Sequence, residues 1–239
     1  GIDSRATMDI DTTLRNYPLN CESAEQIVRQ IADVEIDDKI SFVIKKTEEI
    51  MEDSEYQGVR LSLDAYLDKT RIPLKIDIST GDVITPCEIS FSYQLMFENR
   101  TIPLLAYPPE TVLAEKLETI LSRGEANTRL RDFYDVYILQ REDFVVTPDA
   151  LCHALLATCR KRGHEDLLHT YASILDRVRQ SDTMRTQWMK YQSDFDYAAG
   201  ITWDTVLDTV ETLCMKTLDD HAFGDELPQE ESQFEMHLL

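Results

Sequence analysis

The apolar pattern of this chain changes character once, near Tyr107, and that change limits the folds open to it. Ahead of Tyr107, short alternating runs predict strands around one early helix; behind it, apolar residues recur at three- and four-residue intervals to about residue 218. Strands are expected over Ala6 to Leu14, Ile40 to Lys46, Val59 to Tyr66 and Leu74 to Ser79. Ile89 to Phe97 and Ile102 to Ala106 read as a hairpin around Asn99. Glu22 to Ala32 is amphipathic, with Ala24, Ile27, Val28 and Ile31 inward and Ser23 as its cap. Glu48 to Glu55 reads as an acidic turn. Helices are expected over 148–162, 165–179, 182–195 and 202–218, and Asp219 to Leu239 as an acidic, frayed tail. A mixed sheet with flanking helices, followed by a C-terminal helical bundle, is an α+β fold. The expected division is an α/β core at 1–107, a helical domain at 108–220 and a tail at 221–239.

The stretch at the seam, Tyr107 to Tyr137, carries charge where apolar residues belong. Pro108 and Pro109 suit a first helical turn, where a missing N–H costs nothing, and Glu110 suits its positive end. Leu113, Leu117 and Ile120 form the inward stripe of that helix, and Lys116 falls inside it. Gly124 and Asn127 interrupt the pattern; a second helix is expected from about Thr128 to Leu139. It is apolar almost all round, apart from a narrow stripe of Arg131, Asp132 and Asp135. Buried charge is costly unless it is paired, bound to metal or functional. The spacings also fit a lysine that reaches out of its helix face and an exposed Arg131–Asp135 pair.

In the first half, Asp9 and Asp11 are two residues apart on an expected strand and so share a face. Like charges so close need a positive group between them, and hard oxygen ligands select Mg²⁺ or Mn²⁺. Asp77, in the middle of LKIDI, would add a third carboxylate if its strand lay nearby. D-x-D is a common pattern, and spacing alone fits a solvated strand face and a strand-edge aspartate better than a metal site.

Other chemistries find less support. Seven glycines form no P-loop or G-x-G-x-x-G, and the serines lack a nucleophile context such as G-x-S-x-G. The five histidines form no H-x-x-x-H pair, which argues against zinc. Trp188 and Trp203 fit helix packing. Five cysteines without C-x-x-C suit reduced thiols and a cytoplasmic setting. No apolar run approaches the ~20 residues of a membrane span. The net charge of −21 repels nucleic acid over most of the chain and suits a basic protein partner. Residues 100–141 differ, with six basic against six acidic side chains, so a polyanion would dock there.

Three segments, SRATMDID, LKIDISTGD and AEKLETILSRGEANTRLRDFYDVYIL, together resemble the AbiEii/AbiGii-type toxins, over roughly residues 4–141. These are bacterial nucleotidyltransferases of the DNA polymerase β superfamily, paired with an antitoxin in abortive-infection operons. The resemblance implies metal binding by Asp9 and Asp11, with Asp77 as third carboxylate, and a phosphate contact from Lys116. Asp132 and Asp135 would be the late acidic pair, one of them activating the acceptor, and Arg129 and Arg131 would meet nucleotide or acceptor. The implied reaction moves a nucleoside monophosphate from an NTP to an acceptor such as tRNA, with Mg²⁺ or Mn²⁺. A phosphotransferase acting on a protein or small molecule would use the same residues, and a non-catalytic acidic interaction module is the reading outside enzymes. Polymerase-β-type folds place a Gly-Ser turn and helix start ahead of D-x-D, yet only eight residues precede Asp9. Either that element lies upstream of Gly1 or the activity is lost.

Overall fold

A computed structural model describes residues 9–36, 39–51, 57–95, 98–141 and 146–219. Expectations for residues 6–8, 96–97 and 220–239, and for 52–56 of the acidic turn, lie outside the described residues. Four strands make the main sheet: β1 (Asp9–Leu14), β2 (Ile40–Met51), β3 (Gln57–Leu67) and β4 (Thr70–Thr80), in the order β1-β4-β3-β2. β1 runs parallel to β4, and the β2–β3 and β3–β4 pairs are antiparallel. The β3–β4 hairpin closes at Leu67 and Thr70 around Asp68 and Lys69, with Asp68 at φ 51°. A two-residue loop of that hand matches the twist of its strands. β2 extends past the strand expected to end at Lys46: after a register shift between Ile44 and Lys46, Glu48 and Glu49 pair with Arg60 and Val59. The acidic residues there belong to the ladder, whose pairing outweighs their low strand propensity.

Helix α1 (Cys21–Ala32) covers one face of this sheet. Its cap is Asn20, whose side chain accepts from Ser23 N at 2.8 Å while Ser23 Oγ accepts from Asn20 N at 3.0 Å. Ser23, expected as the cap, instead stands three residues inside it and completes a reciprocal box with Asn20. Ala24 and Val28 pack on Val59, Leu61, Leu63 and Ile78. Ile31, expected inward, is exposed.

A second ladder, β5 (Ile89–Gln94) with β6 (Thr101–Ala106), pairs Ile89 with Ala106, Phe91 with Leu104 and Tyr93 with Ile102. Then come α2 (Pro109–Arg123), α3 (Leu130–Leu139), α4 (Pro148–Lys161), α5 (Leu167–Gln180), α6 (Asp182–Asp194) and α7 (Trp203–Leu218). Thr147, Ser181 and Thr202 cap α4, α6 and α7 by accepting from the backbone N–H three residues on. The helices enclose a core of their own, where Trp203 lies 5.1 Å from Phe133 and 5.7 Å from Trp188, ring centre to ring centre. Trp188 is buried with its indole N–H on Ile201 O at 2.8 Å, as a core tryptophan requires. All five cysteines are free thiols.

Candidate active site

Strand pairing brings the aspartates of the first half together. Asp9 lies in register with Lys75, and Asp11 with Asp77. Alternation places Asp9, Asp11, Lys75 and Asp77 on the sheet face opposite α1. Asp11 is exposed at that face; the Asp9 side chain lies outside the described residues. Asp77 is not at an edge, because β4 runs between β1 and β3. Its paired residue on β3 is Arg60, which donates from Nε to Oδ1 at 2.7 Å and from Nη2 to Oδ2 at 2.6 Å. This two-pronged contact is the strongest geometry a carboxylate and a guanidinium can form. Arg60 was not singled out in the sequence. The two-residue turn at Asp68-Lys69 was the signal that would have found it, since it fixes the register opposite Asp77.

The second cluster lies on the helices. Lys116 donates to Asp135 Oδ2 at 2.7 Å and to Asp132 Oδ1 at 3.2 Å. All three side chains are largely shielded, with 18% of Lys116, 4% of Asp132 and 11% of Asp135 exposed. Lys116 thus turns inward toward the α3 carboxylates instead of reaching into solvent, which explains how the apolar stripe tolerates it. Arg129 and Arg131 are exposed, and Arg129 Nε stands 3.2 Å from Asp132 Oδ2. The loop between α2 and α3 is set by Gly124 at φ 47° and by buried Asn127, whose Oδ1 accepts from Arg129 N at 2.7 Å. Two residues beyond Lys116, and so on another face of α2, Glu118 is also buried and accepts from Arg162, with His164 Nδ1 at 2.6 Å. The sequence did not mark it, because its partners stand far along the chain at the end of α4.

Sheet and helices are joined where β4 ends and α2 begins. Asp82 accepts from Ser79 and from Tyr107, each at 2.6 Å. Thr13, at the C-terminal end of β1, bonds the same phenol. Burial and then the Asp82 contact push the Tyr107 phenol well above its ordinary value, so it remains a proton donor. Buried Thr111, in the first turn of α2, donates to Thr85 O and accepts from Thr85 N, both at 2.9 Å. These bonds tie the lysine helix to the strand that carries Asp77.

The donor set of the sheet face fits a divalent cation, because carboxylates on adjacent strands are hard ligands within one strand spacing of about 4.8 Å. Among the described residues no three metal-ligating side chains already converge. No described helix is long and apolar enough to cross a membrane.

The family profile described as nucleotidyl transferase AbiEii toxin, Type IV toxin–antitoxin system, matches residues 1–209. Among solved structures, JHP933 from Helicobacter pylori aligns with 92% of this chain and 80% of its own, at 15% identity and a TM-score of 0.41. An H. pylori protein assigned as a nucleotidyltransferase aligns with 92% of this chain and 83% of its own, at the same identity and TM-score. No curated protein matches the chain.

Proposed function

From the premise that the chain belongs to the AbiEii family of nucleotidyltransferase toxins of Type IV toxin–antitoxin systems, we propose that it transfers a nucleoside monophosphate from an NTP to an RNA acceptor such as tRNA. The observation that carries this reading is the register that sets Asp11 beside Asp77, with the Asp9 position on the same face. Asp9, Asp11 and Asp77 would hold Mg²⁺ or Mn²⁺, which when bound would neutralise charge on the phosphates. Lys116 supplies a further cation for the triphosphate, and its bonds to Asp132 and Asp135 fix where that cation stands. Arg129 and Arg131, exposed at the start of α3, contact the nucleotide or acceptor backbone.

An acceptor hydroxyl oxygen bonds to the α-phosphorus in line with the bond to pyrophosphate, which breaks, and the hydroxyl proton passes to solvent at the open face. The setting is the cytoplasm, where NTPs and tRNA are found, and the partner is the cognate antitoxin that the family implies. Incubation with labelled NTPs, Mg²⁺ and total RNA tests the reading. Label should enter one RNA class, and Asp11→Ala should abolish transfer while leaving the melting temperature within a few degrees. Transfer that survives Asp11→Ala would exclude the sheet face as the site.

A further inference from the structure

On the sheet face opposite α1, Asp11, Asp77 and Arg60 form one row across β1, β4 and β3, each in register with the next. Arg60 holds both oxygens of Asp77 at 2.6–2.7 Å. A guanidinium cannot give up its proton, so this contact stays charged at any working pH. Asp77 is well shielded, with 17% of its side chain exposed, while Arg60 is 37% exposed. Lys75, the other cation of the row above, is exposed and in register with Asp9. A divalent cation bound between Asp11 and Asp77 would share Asp77 with Arg60, whose positive charge opposes a second cation there.

We propose that Arg60 is a positioning residue of the transfer site, acting as a built-in counter-ion that competes with the cation for Asp77. This inference rests on the reading that the Asp11–Asp77 face takes a divalent cation. Without cation, the Arg60 fork offsets the repulsion between carboxylates on neighbouring strands and aims Asp77 along the row. With cation bound, Asp77 would be shared between the metal and Arg60, and the guanidinium contact that is kept would preserve its orientation. Arg60 therefore lowers the affinity for free cation and in return fixes the carboxylate in a working geometry. Lysine would be a poor substitute, because a point charge cannot grip both oxygens of a planar carboxylate.

Mn²⁺ binding to the whole chain without nucleotide, read from the EPR signal of free Mn²⁺, separates this role from a structural one. Arg60→Gln should bind Mn²⁺ about tenfold tighter, the worth of one charge-assisted contact removed from competition. In the same variant kcat should fall at saturating Mg²⁺ while KM for the NTP changes little. Arg60→Lys should shift Mn²⁺ affinity the same way by about threefold, and it serves as the test should Arg60→Gln fail to fold. Asp77→Asn should weaken Mn²⁺ binding, and adding Arg60→Gln to it should have no further effect. Unchanged or weaker Mn²⁺ binding by both Arg60 variants, with Asp77→Asn still weakening it, would overturn the counter-ion role alone. If Asp77→Asn and Asp11→Asn both leave Mn²⁺ binding unchanged, the cation reading of this face fails, and the role of Arg60 with it.

Discussion

Lys116 keeps its charge inside an apolar stripe because two carboxylates meet it there, and that fixes what its removal must cost. Lys116→Met would fit the space between Leu113, Leu117 and Ile120 but leave Asp132 and Asp135 buried against each other. Breaking such a site by removing one partner typically costs about 3–5 kcal/mol, far more than the intact site contributes over an apolar replacement. Urea titration should show a loss of that size for Lys116→Met, and recovery of most of it when Asp132→Asn and Asp135→Asn are added. A single variant as stable as the parent would mean that the lysine can leave the carboxylates for solvent at no cost. The same reasoning separates Lys116 from Arg131. Arg131 is exposed beside the carboxylates, whereas Lys116 is enclosed with them, so spacing alone marks both as candidates and only burial ranks them.

At the scale of elements, the helical half was legible because each helix combines a 3.6-residue repeat with a stop or a cap. Pro109 opens α2, Thr147, Ser181 and Thr202 cap later helices, and Gly124 ends α2 in a left-handed turn. The strands were legible only where they alternate. β4 is expected only from Leu74, because the four residues before it, Thr70 to Pro73, end in a proline that cannot donate to a ladder. Pro73 fits because it stands opposite Asp64 on β3, ahead of the described pairing with β1, which starts at Lys75. Missing that extension hid the Asp68-Lys69 turn, and with it the register that hands Asp77 to Arg60. Thr111 was equally hidden, since a threonine in a first helical turn has many bland uses. Its hydroxyl satisfies both backbone groups of Thr85, so Thr111→Val should leave a donor and an acceptor unpaired at the joint and cost about 1–3 kcal/mol. Native-state hydrogen exchange should speed up at Thr85 and the first turn of α2, with the rest of α2 little changed; loss of protection through α4 and α7 would show that Thr111 supports the bundle itself.

The whole molecule has two described cores of unequal size that share no residue. Sheet and α1 bury six apolar residues between them, four from the strands and two from the helix, whereas the helices after β6 bury thirty. Burial of roughly 1.5–3 kcal/mol per large apolar side chain then favours the helical core strongly. The joint between them is made of hydrogen bonds at Tyr107, Asp82 and Thr111, which hold geometry more than they hold energy. Such a build puts the carboxylate row on the sheet and Lys116 on the helices. It also predicts how the chain unfolds. Both tryptophans, Trp188 and Trp203, belong to the helical core, so their fluorescence follows that core alone. In urea, exchange protection of β1, β3 and β4 should be lost at a lower concentration than the fluorescence midpoint, and Thr111→Val should widen the gap by loosening the joint. Coincident transitions in both proteins would mean that the sheet borrows its stability from the bundle and that the two cores unfold as one.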